Sequence, residues 1–245
     1  MFGMQRLALL AVAGLLASSG AAAPAPPQID ACIPQNQRSK AVGFSASDGV
    51  KLAGVVLGTG RNGIVLSHEF GGSLCNWLPF AQTLAERGYR VLVYDSRPVG
   101  SRVTGKGHLE RDVVGAEREL LRRGATRVVV GGASAGGTAA MTAAPLIPRS
   151  VLAGVVVVSS PRQFLSMDAE AAARKVPAPA FFGVGRRDSG FVDEVRKLSA
   201  VSASKRKELV VAESSGHGTQ LLETSWAPAS FRTKLLAFVD AAFRG

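Results

Sequence analysis

From Arg127 to Gly137 the chain reads Arg-Val-Val-Val-Gly-Gly-Ala-Ser-Ala-Gly-Gly: a β-branched run, a serine between glycines, then an alanine-rich stretch. A serine becomes a useful nucleophile when a sharp turn lifts its hydroxyl clear of the backbone and a neighbouring base takes its proton. A strand-to-helix turn of that kind strains the central residue and leaves no room for side chains two positions away, a demand that Gly132 and Gly136 meet. A helix opening directly after Ser134 would turn free N–H groups and its positive dipole end toward developing negative charge, which makes Ala135 N–H a candidate oxyanion donor. The chemistry this window could support is attack of Ser134 on a carbonyl. The chain holds three histidines that could act as its base. His108 heads a polar helix, where a solvated or capping role fits. His68 ends an apolar run, where it can anchor a loop. His217 lies in Glu213-Ser214-Ser215-Gly216-His217-Gly218-Thr219, after the final strand-like run.

The elements that must position these residues are legible as apolar runs alternating with segments of helical length. Residues 41–45 and 50–57 read as a hairpin pair. Residues 63–67, 90–94, 127–131, 151–158, 178–184 and 208–212 read as further strands, several of them apolar throughout, as expected for strands covered on both faces. Between them, residues 77–87, 108–123, 135–146, 167–175, 191–200 and 231–243 carry helical spacing. This alternation predicts an α/β protein with a mostly parallel sheet, helices on both faces and an antiparallel hairpin at the N-terminal edge. Gly58-Thr59-Gly60-Arg61-Asn62-Gly63 matches Gly-x-Gly-x-x-Gly, but a strand follows it where dinucleotide binding needs a helix, so it reads as a turn. Gly131 to Thr138 lacks the Gly-Lys-Ser/Thr of a phosphate-binding loop, and no nucleotide is implied.

The strand-turn-helix setting of Gly132-Ala133-Ser134-Ala135-Gly136 resembles the nucleophile elbow of the α/β-hydrolase superfamily, and the resemblance runs from Ala41 to about Phe243. Ser67-His68-Glu69-Phe70-Gly71-Gly72 is similar to the family's oxyanion loop, which implies Phe70 N–H as second donor; Glu69 stands where many relatives carry glycine. Phe181-Phe182-Gly183-Val184-Gly185-Arg186-Arg187-Asp188 resembles the acid loop and implies Asp188 as the partner of the histidine. Asp193 lies nearby but falls inside the expected helix, and Asp188 could alternatively cap that helix. His217 alone has the place that the order Ser, Asp, His requires. The resemblance thus implies a small serine hydrolase, similar to esterases and dienelactone hydrolases, without a cap domain and without metal or organic cofactor. The substrate would be a small ester or acyl compound, possibly anionic. The same triad would serve a peptidase or lipase, and the same fold could serve as a non-catalytic secreted binding protein. Asp95 is assigned a loop-fixing role. Phe70, Trp77, Phe164, Phe191 and Trp226 could form an apolar wall or belong to the core, so the substrate-binding residues stay open.

The first 23 residues read as a secretory signal peptide: Arg6, an apolar run over residues 7–17, then small residues, with cleavage between 21 and 25. That run is shorter than the roughly 20 residues a membrane span needs, so no stable membrane insertion is expected. A Pro-rich segment, 24–38, precedes a single domain over 39–245. Export to the periplasm or the medium places Cys32 and Cys75 where a disulfide persists, and pairing would tie the N-terminal segment to the loop after the first buried strand. With 47% hydrophobic and 19% charged residues the chain can bury a sizeable core. Its net charge of +11 is spread without interleaved aromatics, which argues for a solvated basic surface and against nucleic acid.

Overall fold

The computed structural model describes residues 32–98 and 107–244; the expected leader and residues 24–31 of the Pro-rich segment lie outside the described residues. Eight strands form one sheet: β1 (Ala41–Ser45), β2 (Lys51–Leu57), β3 (Asn62–Ser67), β4 (Arg90–Tyr94), β5 (Arg127–Ala133), β6 (Leu152–Val158), and two later strands, Ala180–Gly185 and Lys207–Ala212. A two-stranded ribbon, β7 (Gln163–Phe164) and β8 (Met167–Asp168), precedes those last two, which are therefore β9 and β10. The spatial order is β1-β2-β4-β3-β5-β6-β9-β10. From β4 to β10 neighbouring strands run parallel, and the antiparallel β1–β2 hairpin joins β4 at one edge. This is the doubly covered sheet that the alternating sequence predicts.

Val-rich strands suit this position because β-branched side chains pack well against both covered faces. All seven residues of β6 are buried. Alternate residues enter two cores: Val65, Val128, Val130, Val155, Val157 and Phe182 face one layer, whereas Ile64, Leu66, Val129, Val156 and Phe181 face the other. The first layer is completed by α2 (Leu109–Arg122), α3 (Ala135–Ala143), α4 (Ala169–Ala173) and α5 (Phe191–Val201), and the second by α1 (Leu78–Glu86) and α6 (Ala229–Ala242). Each fully buried large side chain contributes about 2–3 kcal/mol of transfer free energy. Ile33, within the Pro-rich segment, is also buried in the second core.

Three helices differ from their sequence expectation by two residues or more; the one expected over 231–243 starts earlier, at Ala229, just after Pro228. The helix expected over 167–175 begins only at Ala169, because the Asp168 carboxylate accepts Ala171 N–H at 2.8 Å as its cap; Met167 instead pairs with Phe164 across Leu165, whose φ is +54°. The helix expected over 135–146 stops at Ala143 and tightens into a 3₁₀ turn, Ala144–Leu146, since Pro145 has no N–H to continue the ladder. Cys32 and Cys75 are disulfide-bonded with Cα atoms 6.0 Å apart, fastening the N-terminal segment to the 3₁₀ turn Leu74–Asn76.

Candidate active site

In a parallel sheet all the loops that leave the C-terminal strand ends lie along one edge, and there the sequence-predicted residues are found. Ser67 at the end of β3 pairs with Gly132 of β5, Ala133 with Val158 of β6, Val158 with Gly183 of β9, and Gly185 with Ala212 of β10. Ser134, Asp188 and His217 follow these ends directly.

Ser134 sits between β5 and α3 with φ +51° and ψ −122°, a conformation that costs an L-residue about 1–3 kcal/mol and persists only where the surroundings enforce it. They do. Ser134 N donates to Val158 O at 2.8 Å, and Ser134 O accepts from Gly137 N and Thr138 N, both at 3.1 Å. A Cβ on Gly132 would collide with the backbone of Gly136, and one on Gly136 with the carbonyl oxygens of Ser67 and His68, so the close approach of elbow and β3 loop at position 136 requires glycine. Ala135 opens α3, leaving its N–H without an intrahelical partner.

His217 Nδ1 donates to both Asp188 carboxylate oxygens at 3.1 Å. This holds the ring in the Nδ1–H tautomer and leaves Nε2 with a lone pair. Phe191 lies against the imidazole, ring centroids 4.3 Å apart. Asp188 is 6% exposed; its carboxylate does not cap α5, whose N-cap is Gly190 with φ +85°. Asp193, by contrast, is an exposed side chain of α5 near Arg196. The structure thus joins Asp188 to His217, while Ser134 Oγ is not hydrogen-bonded to the ring. Catalytic hydrogen bonds are often long without substrate and tighten when it binds.

The β3 loop is pinned in place. His68 Nδ1 donates to Glu69 O at 2.7 Å, and His68 Nε2 accepts Ser96 N–H at 3.0 Å. Asp95 Oδ1 accepts Leu74 N–H at 2.8 Å, the loop-fixing contact expected of it. Phe70, at the crest of this loop, is 61% exposed and packs on Phe164, centroids 5.7 Å apart. Trp77 is fully buried and donates from Nε1 to Ser67 O at 2.8 Å, so it belongs to the core. Trp226 is half-exposed at 45%. A cavity of about 280 Å³ runs beside Ala135, bounded by Phe70, Gly71, Ser96, Pro98 and Leu109. Among the described residues no group of three or more His, Cys, Asp and Glu side chains could hold a metal, and no helix is long and apolar enough to cross a membrane.

Residues 63–213 match the family model for the alpha/beta hydrolase fold, well over half of the chain. The chain belongs to the alpha/beta hydrolase family. Among solved structures of this fold, an esterase of Pyrococcus furiosus superposes with a TM-score of 0.70 at 18% identity, covering 88% of this chain and 98% of that one. A thermophilic esterase from Thermogutta terrifontis, with malate bound, gives 0.63 at 17% identity over 82% and 98% of the two chains. The enol-lactonase of Burkholderia xenovorans gives 0.63 at 18% identity over 80% and 99%. Among curated protein sequences none matches this alpha/beta hydrolase. Among the described residues only the β7–β8 ribbon and the short α4 lie between β6 and β9, which leaves no cap domain there.

One feature of this hydrolase-fold edge escaped the sequence. Arg97, 5% exposed, grips Asp48 with two guanidinium nitrogens at 2.7 and 2.8 Å and Asp112 through Nε at 2.7 Å, while its backbone N–H donates to Asp112 Oδ2 at 2.9 Å. Hydrogen bonding from Arg97 holds the Asp48 carboxyl down at about 2, whereas burial pushes Asp112 up against the pull of the same arginine. The cluster ties the β1–β2 turn, the loop after β4 and the start of α2 together beside the cavity. No spacing could reveal it, because its members lie 49 and 15 residues from Arg97.

Proposed function

We propose that this protein is an exported serine hydrolase that cleaves carboxylic esters through an acyl-enzyme on Ser134. The observation that carries the reading is the Asp188–His217 pair, with its fixed tautomer, on the sheet edge where Ser134 is held in a strained elbow. In the first step Ser134 Oγ attacks the ester carbonyl while His217 Nε2 takes its proton; Asp188 stabilises the imidazolium and stays ionised. The charge that develops on the carbonyl oxygen is met by Ala135 N–H at the start of α3 and by Phe70 N–H, each such donor worth about 3 kcal/mol in the transition state. The imidazolium then protonates the leaving alcohol. Water, deprotonated by the same nitrogen, releases the acid and restores Ser134.

The esterase and lactonase neighbours support ester chemistry. The open edge and the cavity of about 280 Å³ favour a small acyl or alcohol group over a long lipid chain, which distinguishes this reading from a lipase. The Cys32–Cys75 disulfide supports export, since such bonds last in oxidising compartments. A fluorophosphonate probe should label the wild-type protein and leave Ser134→Ala unlabelled, and p-nitrophenyl acetate or butyrate should be turned over faster than the long-chain ester. Equal labelling and turnover by Ser134→Ala would remove Ser134 from the mechanism.

A further inference from the structure

We infer that Glu69 is a positioning residue that clamps the loop carrying His217 onto the loop carrying Phe70, so that base and second oxyanion donor are held as one unit around Ser134. This rests on the acyl-transfer reading above. Glu69 Oε1 accepts Thr219 N–H at 2.6 Å and the Thr219 hydroxyl at 2.7 Å, joining residues 150 apart in sequence. Its backbone carbonyl accepts from Gly72 N at 3.0 Å as well as from His68. The main chain of Glu69 is therefore tied to the end of β4 through His68 and Ser96, and its carboxylate to the turn that starts at His217.

The strand order explains why such a tie matters. Glu69 leaves β3 on one side of β5, while Thr219 follows β10, which lies beyond β6 and β9 on the other side. Ser134, which directly follows β5, lies between the two loops in strand order, and no hydrogen bond of its own ties it to His217. Thr219 is the second residue of the 3₁₀ turn Gly218–Leu222, for which His217 is the N-cap. Its N–H lacks a partner within that turn, and a carboxylate is the acceptor the turn's dipole favours. The fit is close. Gly218 has φ +58°, and a Cβ there would overlap Glu69 Oε1. Glu69 Oε2 is buried and has no hydrogen-bond partner among the described residues, so the two bonds to Thr219 alone hold the carboxylate where it is. A glycine at this position could make neither bond.

Displacing a catalytic group by about 1 Å can cost on the order of 100-fold in rate. Glu69→Ala should lower kcat on p-nitrophenyl butyrate by about that factor, and by more than it raises KM, because the lost bonds to Thr219 set the position of base and oxyanion donor, although Glu69 also lines the cavity. Glu69→Gln keeps an oxygen able to accept both donors and should recover most of kcat. Glu69→Ala/Thr219→Val should be no slower than Glu69→Ala, since the pair acts through one contact. The Thr219 amide should exchange with solvent at least about tenfold faster in Glu69→Ala, read by NMR. Should Glu69→Ala fail to fold, Thr219→Val, which loses the hydroxyl bond and keeps the amide one, carries the same comparison of kcat with KM at a smaller loss, with Glu69→Gln as the variant that retains activity. Unchanged kcat in Glu69→Ala of an active wild type, or additive losses in the double variant, would overturn the clamp and leave the acyl-transfer reading standing. A wild type with neither labelling nor turnover would sink the acyl-transfer reading, while Thr219 exchange would still report whether Glu69 holds the loop.

Discussion

Replacing Asp188 by asparagine tests the proposed mechanism most directly, because it conserves shape and removes one charge. His217 Nδ1 stands 3.1 Å from both carboxylate oxygens. As Ser134 attacks, the ring gains a positive charge beside that carboxylate. At an effective dielectric of about 20 and a charge separation of about 3–4 Å, Coulomb attraction is worth about 4–5.5 kcal/mol, which corresponds to about three to four powers of ten in rate. Asparagine forfeits this and can also turn its NH₂ group toward Nδ1. That selects the Nε2–H tautomer, which has no lone pair for the serine proton. Asp188→Asn should therefore lose about 10³- to 10⁴-fold in kcat on a short p-nitrophenyl ester, and fluorophosphonate labelling should slow in parallel. Far-UV circular dichroism and Tm would show that the fold persists. An Asp188→Asn variant retaining kcat within about tenfold of wild type would refute the role given to this carboxylate, and with Asp193→Asn as the inactive variant the acid would have to be reassigned.

The Asp48 carboxyl, held at about 2 against an ordinary 3.8, contributes stability that is complete above about pH 4 and lost as the pH falls toward 2. Because Asp48 is largely exposed, solvent screening leaves this contribution at about 1 kcal/mol or less; denaturant unfolding of wild type and Asp48→Asn should show a gap of that order at neutral pH that closes in acid, and a gap independent of pH would contradict the assignment. Gly136→Ala forces a methyl group against Ser67 O and His68 O and should cost about 1–3 kcal/mol of stability together with most of the esterase activity; full activity would mean that elbow and β3 loop need not touch. Cys75→Ser opens a cross-link between residues 43 apart, for which chain entropy gives about 4 kcal/mol, so its denaturation midpoint should fall clearly, and an unchanged midpoint would show the bridge to be dispensable.

Much of the fold could be read locally. Val128 to Val130 and Val155 to Val158 are β-branched runs flanked by turn residues, and such runs are stable only as strands between two covered faces. The elbow was equally legible, since a serine with glycine two positions away on each side, between a β-branched run and an alanine-rich stretch, fits a sharp strand-to-helix turn that leaves no room for side chains there. Where local signals were ambiguous, sequence reading misplaced an end: Met167 has apolar neighbours at helical spacing, yet a ribbon across Leu165 and the Asp168 cap delay the helix to Ala169. Asp188 and Asp193 are both carboxylates near one helix start; only burial and the direction of the His217 ring separate them.

The amino-acid sequence by itself determined the alternation of strand and helix and the glycine-flanked turn at Ser134, because each depends on residues within one or two turns of one another; Asp188 and His217 were singled out only by the resemblance of their loops to those of the family. The tertiary structure alone decided the partners drawn from afar. Arg97 meets Asp48 and Asp112, and Glu69 meets Thr219, only after the parallel sheet gathers its loops on one edge. Contacts between residues 15 to 150 apart leave no periodic trace, since chain geometry over such distances is set by strand order and not by local conformation.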